Sequence, residues 1–214
     1  MKFSIEELRP IRNGMTISRD SRLGNSTKVT YFSMGKDTSI SQESYDRMTM
    51  YIGASGWGEF IIGEEPEIIK LQPDELLIVP AGTLCGMQTS NGIVYTEIIC
   101  TGKDINMNAN VKTNEVFALK NLISYEEGSI ANMDVVSTPD MKYVLMAFDE
   151  GTGLTPHRAP GNAIVFALEG KATIGYEGKD YELSEGECFR FEKNGLHSVT
   201  ANGRFKMALL LVLE

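Results

Sequence analysis

The chain holds two histidines, His157 and His197, forty positions apart in its second half. Imidazole titrates near neutral pH and is the commonest metal ligand. Two such rings converging in one hollow could act as a general base or hold a transition metal. A firm metal site takes three or four protein donors. Asn162 or Glu187 could supply a third, and water or a substrate carboxylate could complete the shell. Arg158, beside His157, and Arg190 could grip an acidic substrate through the guanidinium fork, with a surface arginine as the ordinary alternative for each. Phe166, Phe189 and Phe191, with Val165, would give the hollow apolar walls suited to a small organic molecule.

Composition narrows what such a site could serve. With 214 residues, 42% hydrophobic and 23% charged, the chain can bury a core and form one large or two small domains. Twenty basic against twenty-nine acidic side chains give a net charge of -9, and no Lys/Arg-rich run breaks that balance. A nucleic-acid partner is therefore not expected. The longest apolar stretch, 207–213, is far shorter than a membrane helix, so no membrane partner is expected either. Glu6 and Glu7 stand where a secretory signal would be apolar, and the three cysteines are scattered without a C-x-x-C pair. A cytoplasmic protein without a disulfide framework or zinc ribbon is the expectation. The Gly-rich run 53–58 is followed by no lysine, which excludes a phosphate loop, and neither G-x-S-x-G nor H-E-x-x-H occurs.

The elements that must position the histidines read as short strands. In the second half they fall at 141–148, 163–168, 171–176, 180–183, 188–191 and 205–213. Glu169-Gly170, Glu177-Gly178 and the run 184–187 are expected to turn the chain between them. Asn202-Gly203 predicts a type I′ hairpin, because both residues tolerate positive φ. Helix is confined to 4–8, capped by Ser4, and 118–124. Evenly spaced short strands predict an all-β antiparallel sandwich or barrel.

The two halves also repeat. At an offset of 114, Phe3, Lys28 and Glu43 fall on Phe117, Lys142 and His157. At 112, Gly58, Leu71, Glu75, Leu84 and Cys85 fall on Gly170, Leu183, Glu187, Leu196 and His197, which places two extra residues of the first copy near Gly56-Trp57. Asn91-Gly92 meets Asn202-Gly203 at 111. Glu43 with Cys85 resembles a carboxylate–thiol pair with no base to activate the thiol, so an inert buried cysteine is expected there. Trp57 is expected to pack at a hairpin tip or meet a partner.

In this frame the residues resemble the cupins, small β-barrels marked by two glycine-bounded histidine motifs. Gly151, five residues and then His157 match the opening of the first motif, and Gly170 matches its closing glycine. Gly186 and His197 match the frame of the second, with Glu192 and Asn194 in its proline and glycine positions. The first half retains Pro80 and Gly82 but has Cys85 in place of the histidine. Of the family's four ligand positions, the second half keeps His157 and His197 and has Ala159 and Ala163 at the others. The first half has Glu43, Tyr45, Thr49 and Cys85 at all four.

The resemblance implies an all-β bicupin of two tandem jelly-roll-like barrels of the double-stranded β-helix type. The N-terminal barrel would span 1–102, a linker 103–116, and the C-terminal barrel 117–214. It also implies a small-molecule ligand, a homodimer, and a divalent ion (Zn, Fe, Ni, Mn or Cu) on His157 and His197. The same two residues are the candidate catalytic groups, with Arg158, Phe166, Phe189 and Phe191 as ligand contacts. The protein would act on a small carbonyl, hydroxy or sugar-like compound; the alternative is a non-catalytic metabolite-binding bicupin without metal. A third role would leave the N-terminal barrel to packing and dimerisation.

Overall fold

A computed structural model describes residues 1–24, 27–101 and 104–213. In chain order the first strands are β1 (Lys2–Phe3), β2 (Thr16–Asp20), β3 (Lys28–Met34), β4 (Thr38–Ser44), β5 (Thr49–Gly56) and β6 (Gly58–Ile62). They are followed by β7 (Glu67–Leu71), β8 (Glu75–Val79), β9 (Leu84–Thr89), β10 (Ile93–Ile99), β11 (Asn106–Met107) and β12 (Val116–Ala118). The last are β13 (Ile130–Ser137), β14 (Met141–Phe148), β15 (Gly153–Arg158), β16 (Asn162–Tyr176), β17 (Lys179–Ser184), β18 (Cys188–Phe191) and β19 (Leu196–Val212). Among the described residues, helix is limited to α1 (Ile5–Leu8) and a single 3-10 turn, Leu119–Asn121. Among the described residues no helix is long and apolar enough to cross a membrane.

The strands gather into two compact units. The N-terminal unit comprises Ile5–Thr101 and Ala109–Ala118, and the C-terminal unit Met1–Ser4, Gly102–Asn108 and Leu119–Glu214. Gly102 and Lys103, at the expected domain edge and linker start, lie outside the described residues. The described part of the polar stretch that follows carries β11, which pairs with β13.

In the N-terminal unit a six-stranded sheet, ordered β12-β8-β5-β10-β3-β2, faces a four-stranded one, ordered β4-β9-β6-β7. Side chains from both fill the space between them, including Tyr51, Leu77 and Tyr95 from the larger sheet and Phe60 and Met87 from the smaller. Alternation decides which side chains enter. On β10, Ile93 and Tyr95 point into this core, and the same parity carries Glu97 inward.

The C-terminal unit is one nine-stranded sheet organised by two long antiparallel strands. β16 and β19 stay paired from Asn162↔Val212 to Tyr176↔His197. Their outer halves pair with β18 and β14, and their inner halves with β17 and β15, so one ribbon serves both layers of a jelly roll. The bend comes from bulges on either side of Glu169-Gly170. Gly170 has φ +77, and a Cβ there would lie 2.1 Å from the Arg204 carbonyl oxygen. Between the layers pack Phe148, Val165, Ile174, Phe189, Phe191 and Val199 with their neighbours.

Two expected turns are therefore bends within strands. Glu169-Gly170 is a bulge inside β16, and Asn202-Gly203 lies within β19. Gly203 has positive φ but Asn202 does not, which excludes a type I′ turn. The offset between the halves also moves. Gly58↔Leu71 through Ile62↔Glu67 correspond to Ala172↔Leu183 through Tyr176↔Lys179, so the first copy's two extra residues lie in the turn 63–66, not near Gly56-Trp57. The residue matching Gly170 is Gly56, with φ +67 and a Cβ that would lie 2.1 Å from the Gly92 carbonyl oxygen.

Candidate functional site

β15 and β19 bring the two histidines together. They are direct cross-strand partners, His157↔His197, just past an irregularity in β15 between Leu154 and His157. The ring centroids are 4.3 Å apart, with planes tilted by 53°. His197 shares its inward face with Val199 and Ala201 and is 7% exposed, whereas His157 is open to solvent. Phe191 stacks on His197 at 4.2 Å and 26°, and Phe189 and Tyr176 back Phe191 at 5.0 and 5.5 Å.

The hydrogen bonds of the rings decide their chemistry. The Nδ1 of His157 lies 2.8 Å from the Thr155 carbonyl oxygen, and that of His197 lies 2.9 Å from the Gly195 carbonyl oxygen. A carbonyl only accepts, so each Nδ1–H donates and the proton of a neutral ring is held there. Both Nε2 atoms are left as bare lone pairs. Burial holds the pKa of His197 below the usual 6.5; the hydrogen bond to Gly195 opposes this, and a charge on His157 adds to it. A charge on His157 therefore disfavours protonation of His197.

The other expected contacts divide. Phe189 and Phe191 lie on the inner side, where Phe191 meets His197. Phe166 lies on the opposite face of β16, edge-on to Tyr143, because adjacent strand residues alternate. Arg158 alternates away from His157 in the same manner. Its guanidinium donates to the Asn194 carbonyl and lies 3.9 Å from Glu177. Arg190 is paired with Glu192 at 2.8 Å.

A metal fits this donor set poorly. Asn162 Oδ1 accepts from the Lys193 amide, and Glu187 accepts from the Ser184 amide while pairing with Lys2 at 2.9 Å. Neither carboxamide nor carboxylate is free to complete a shell with the imidazoles. Among the described residues, no group of three or more His, Cys, Asp or Glu side chains could hold a metal ion. Two imidazoles supply fewer donors than a resident metal takes.

The N-terminal unit repeats this lattice with other residues. Glu43↔Cys85↔Ile62 occupies the register of His157↔His197↔Tyr176. Here a cavity of about 100 Å³ opens between the two sheets, with Tyr51, Phe60 and Tyr95 in its walls and Glu43, Tyr45, Cys85 and Glu97 on it. Burial pushes the Cys85 thiol up to about 11, so it stays protonated at neutral pH, as an inert cysteine would. Glu97 is 5% exposed, and burial pushes its carboxyl up to about 7, with Lys28 opposing. Sequence reasoning missed Glu97. The signal was available: a single carboxylate at an inward position of the apolar run 93–99, where the equivalent residue of β19 is Leu209.

Residues 144–213 match the family model described as Cupin domain. The cupin 2 conserved barrel domain protein from Leptotrichia buccalis superposes with a TM-score of 0.88 at 24% identity, over 99% of this chain and 96% of that one. The fold is that of the cupins. Salicylate 1,2-dioxygenase from Pseudaminobacter salicylatoxidans shares it with a TM-score of 0.65 at 11% identity, over 87% of this chain and 71% of that one. So does oxalate decarboxylase from Bacillus subtilis, with a TM-score of 0.59 at 13% identity, over 100% and 76%. No curated protein matches the chain. At these identities the likeness carries the cupin fold and leaves the chemistry to this chain's own residues.

Proposed function

We propose that the C-terminal unit is a small-molecule site in which His197 acts as a metal-independent general base on a hydroxy-carbonyl compound. The observation that carries this reading is that both Nδ1–H groups are held by backbone carbonyls, so two bare Nε2 acceptors belong to rings 4.3 Å apart. His197 has a pKa below its ordinary value, so its base form is present throughout the neutral range. Phe191 fixes one face of its ring. His197 takes a proton from the carbon next to the substrate carbonyl, leaving an enolate, and the proton returns from the imidazolium or solvent. His157, exposed beside it, links the buried ring to water. A positioned base contributes about 10²–10⁴-fold.

Small hydroxy ketones and hydroxy aldehydes in D₂O, followed by proton NMR, report this step as deuterium exchange at the carbon next to the carbonyl. Exchange is expected with the wild-type protein, to fall at least ~100-fold in His197→Gln, and to survive chelator treatment. Any of three results would overturn the proposal: no exchange with any compound, a rise in Tm with ligand but no exchange (a binding module), or a stoichiometric transition metal whose removal abolishes exchange.

A further inference from the structure

The cavity of the N-terminal unit has a chemical character of its own. Its mouth carries the exposed Glu43 and Tyr45, and its interior carries the phenols of Tyr51 and Tyr95, the Cys85 thiol and the Glu97 carboxyl. No lysine, arginine or histidine is among the residues that line it. Phe32, Tyr51, Phe60 and Tyr95 supply aromatic surface, with centroids 4.7–6.3 Å apart. Glu97, 95% removed from solvent on the middle of β10, has no hydrogen-bond partner among the described residues yet lines this space. A buried carboxyl without a partner is destabilising unless something compensates it.

We propose that this cavity binds a small organic ammonium ion, with Glu97 as its counter-ion. The aromatic walls favour a cation over an anion through their ring faces. The ammonium N–H groups would satisfy the Glu97 oxygens, and Glu43 at the mouth would add to the negative potential that draws the ion in. A carboxylate ligand would meet two acidic groups and no cation.

The pH dependence follows from the groups around Glu97. Lys28 on β3 acts on it from the exposed surface, and Tyr51 on β5 and Tyr95 on β10 flank it. Tyr45 is pushed up to about 12 and Cys85 to about 11, so neither ionises near neutrality. The α1 helix presents Ile5 to the unit and turns Glu6 and Glu7 to solvent. Glu97 is thus the buried group that changes charge near pH 7. Its ionised form is the one that pairs with the cation.

Calorimetric titration with n-butylammonium, 1-butanol and butyrate tests this. Saturable n-butylammonium binding is expected at pH 8, at least ~10-fold weaker at pH 6 and in Glu97→Gln. 1-Butanol is expected to bind at least ~10-fold more weakly, and butyrate not at all. Circular dichroism of Glu97→Gln establishes that the variant is folded. Three results would overturn the proposal: no n-butylammonium binding at pH 8, equal affinity for 1-butanol or butyrate, or unchanged affinity in a folded Glu97→Gln.

Discussion

Glu97→Gln is expected to stabilise the N-terminal unit by about 3 kcal/mol at pH 8 and to change it little at pH 4. The carboxyl titrates at 4.5 in its ordinary environment and at about 7 in the folded protein, because burial disfavours its charged form. The sign follows from that direction. A carboxyl raised by folding contributes fully below pH 4.5, and that contribution is lost as pH rises through about 7. At 1.36 kcal/mol per pH unit the interval amounts to about 3 kcal/mol, which a neutral amide of the same shape does not lose. Trp57, the chain's single tryptophan, lies between β5 and β6 and reports on this unit alone. Urea unfolding followed by its fluorescence should give wild-type and variant curves that coincide at low pH and diverge as pH rises. Curves that stay parallel from pH 4 to pH 8 would contradict the burial of an uncompensated carboxyl.

Gly170→Ala is expected to destabilise the C-terminal unit by at least ~3 kcal/mol. Its φ of +77 lies where an L side chain is strained, at about 1–2 kcal/mol. The added Cβ would also lie 2.1 Å from the Arg204 carbonyl oxygen. That oxygen belongs to β19 backbone rather than to a side chain that could swing aside, so the paired strands must part. Gly170 is where β16 bends between the two layers, and His197 lies on the stretch of β19 paired with the far side of that bend. Gly56→Ala should act equally on the N-terminal unit, where the Gly92 carbonyl oxygen lies at the same 2.1 Å. The Trp57 unfolding transition should therefore shift in Gly56→Ala, and the far-UV circular dichroism transition in Gly170→Ala. A shift equivalent to less than ~1 kcal/mol in either would contradict the close approach.

Strand existence was legible in the sequence because alternation and turn residues are local signals. What those turn residues do was less legible. Asn202-Gly203 and Glu169-Gly170 supply positive φ in a hairpin or in a bulge, and only the partner strands decide between them. The convergence of His157 and His197 rests on the cross-strand register of β15 with β19, and the sequence carries it only through the spacing of the two cupin-like motifs. Phe166 was misplaced because a strand buried on both faces hides which parity points inward: Val165 and Phe166 are both nearly inaccessible. Glu97 went unnoticed because the motif frame directs attention to the histidine positions, while its own signal is a single charge in an apolar strand.

The bare Nε2 atoms are the centre of the account, and long-range proton–nitrogen NMR of the imidazole rings observes them directly. With two histidines in the chain, His157→Ala and His197→Ala assign every signal. At pH 7.5 both rings should show the tautomer protonated on Nδ1, and His197 should titrate below 6.5. A proton resident on Nε2 of either ring, or a His197 that titrates at or above 6.5, would contradict it.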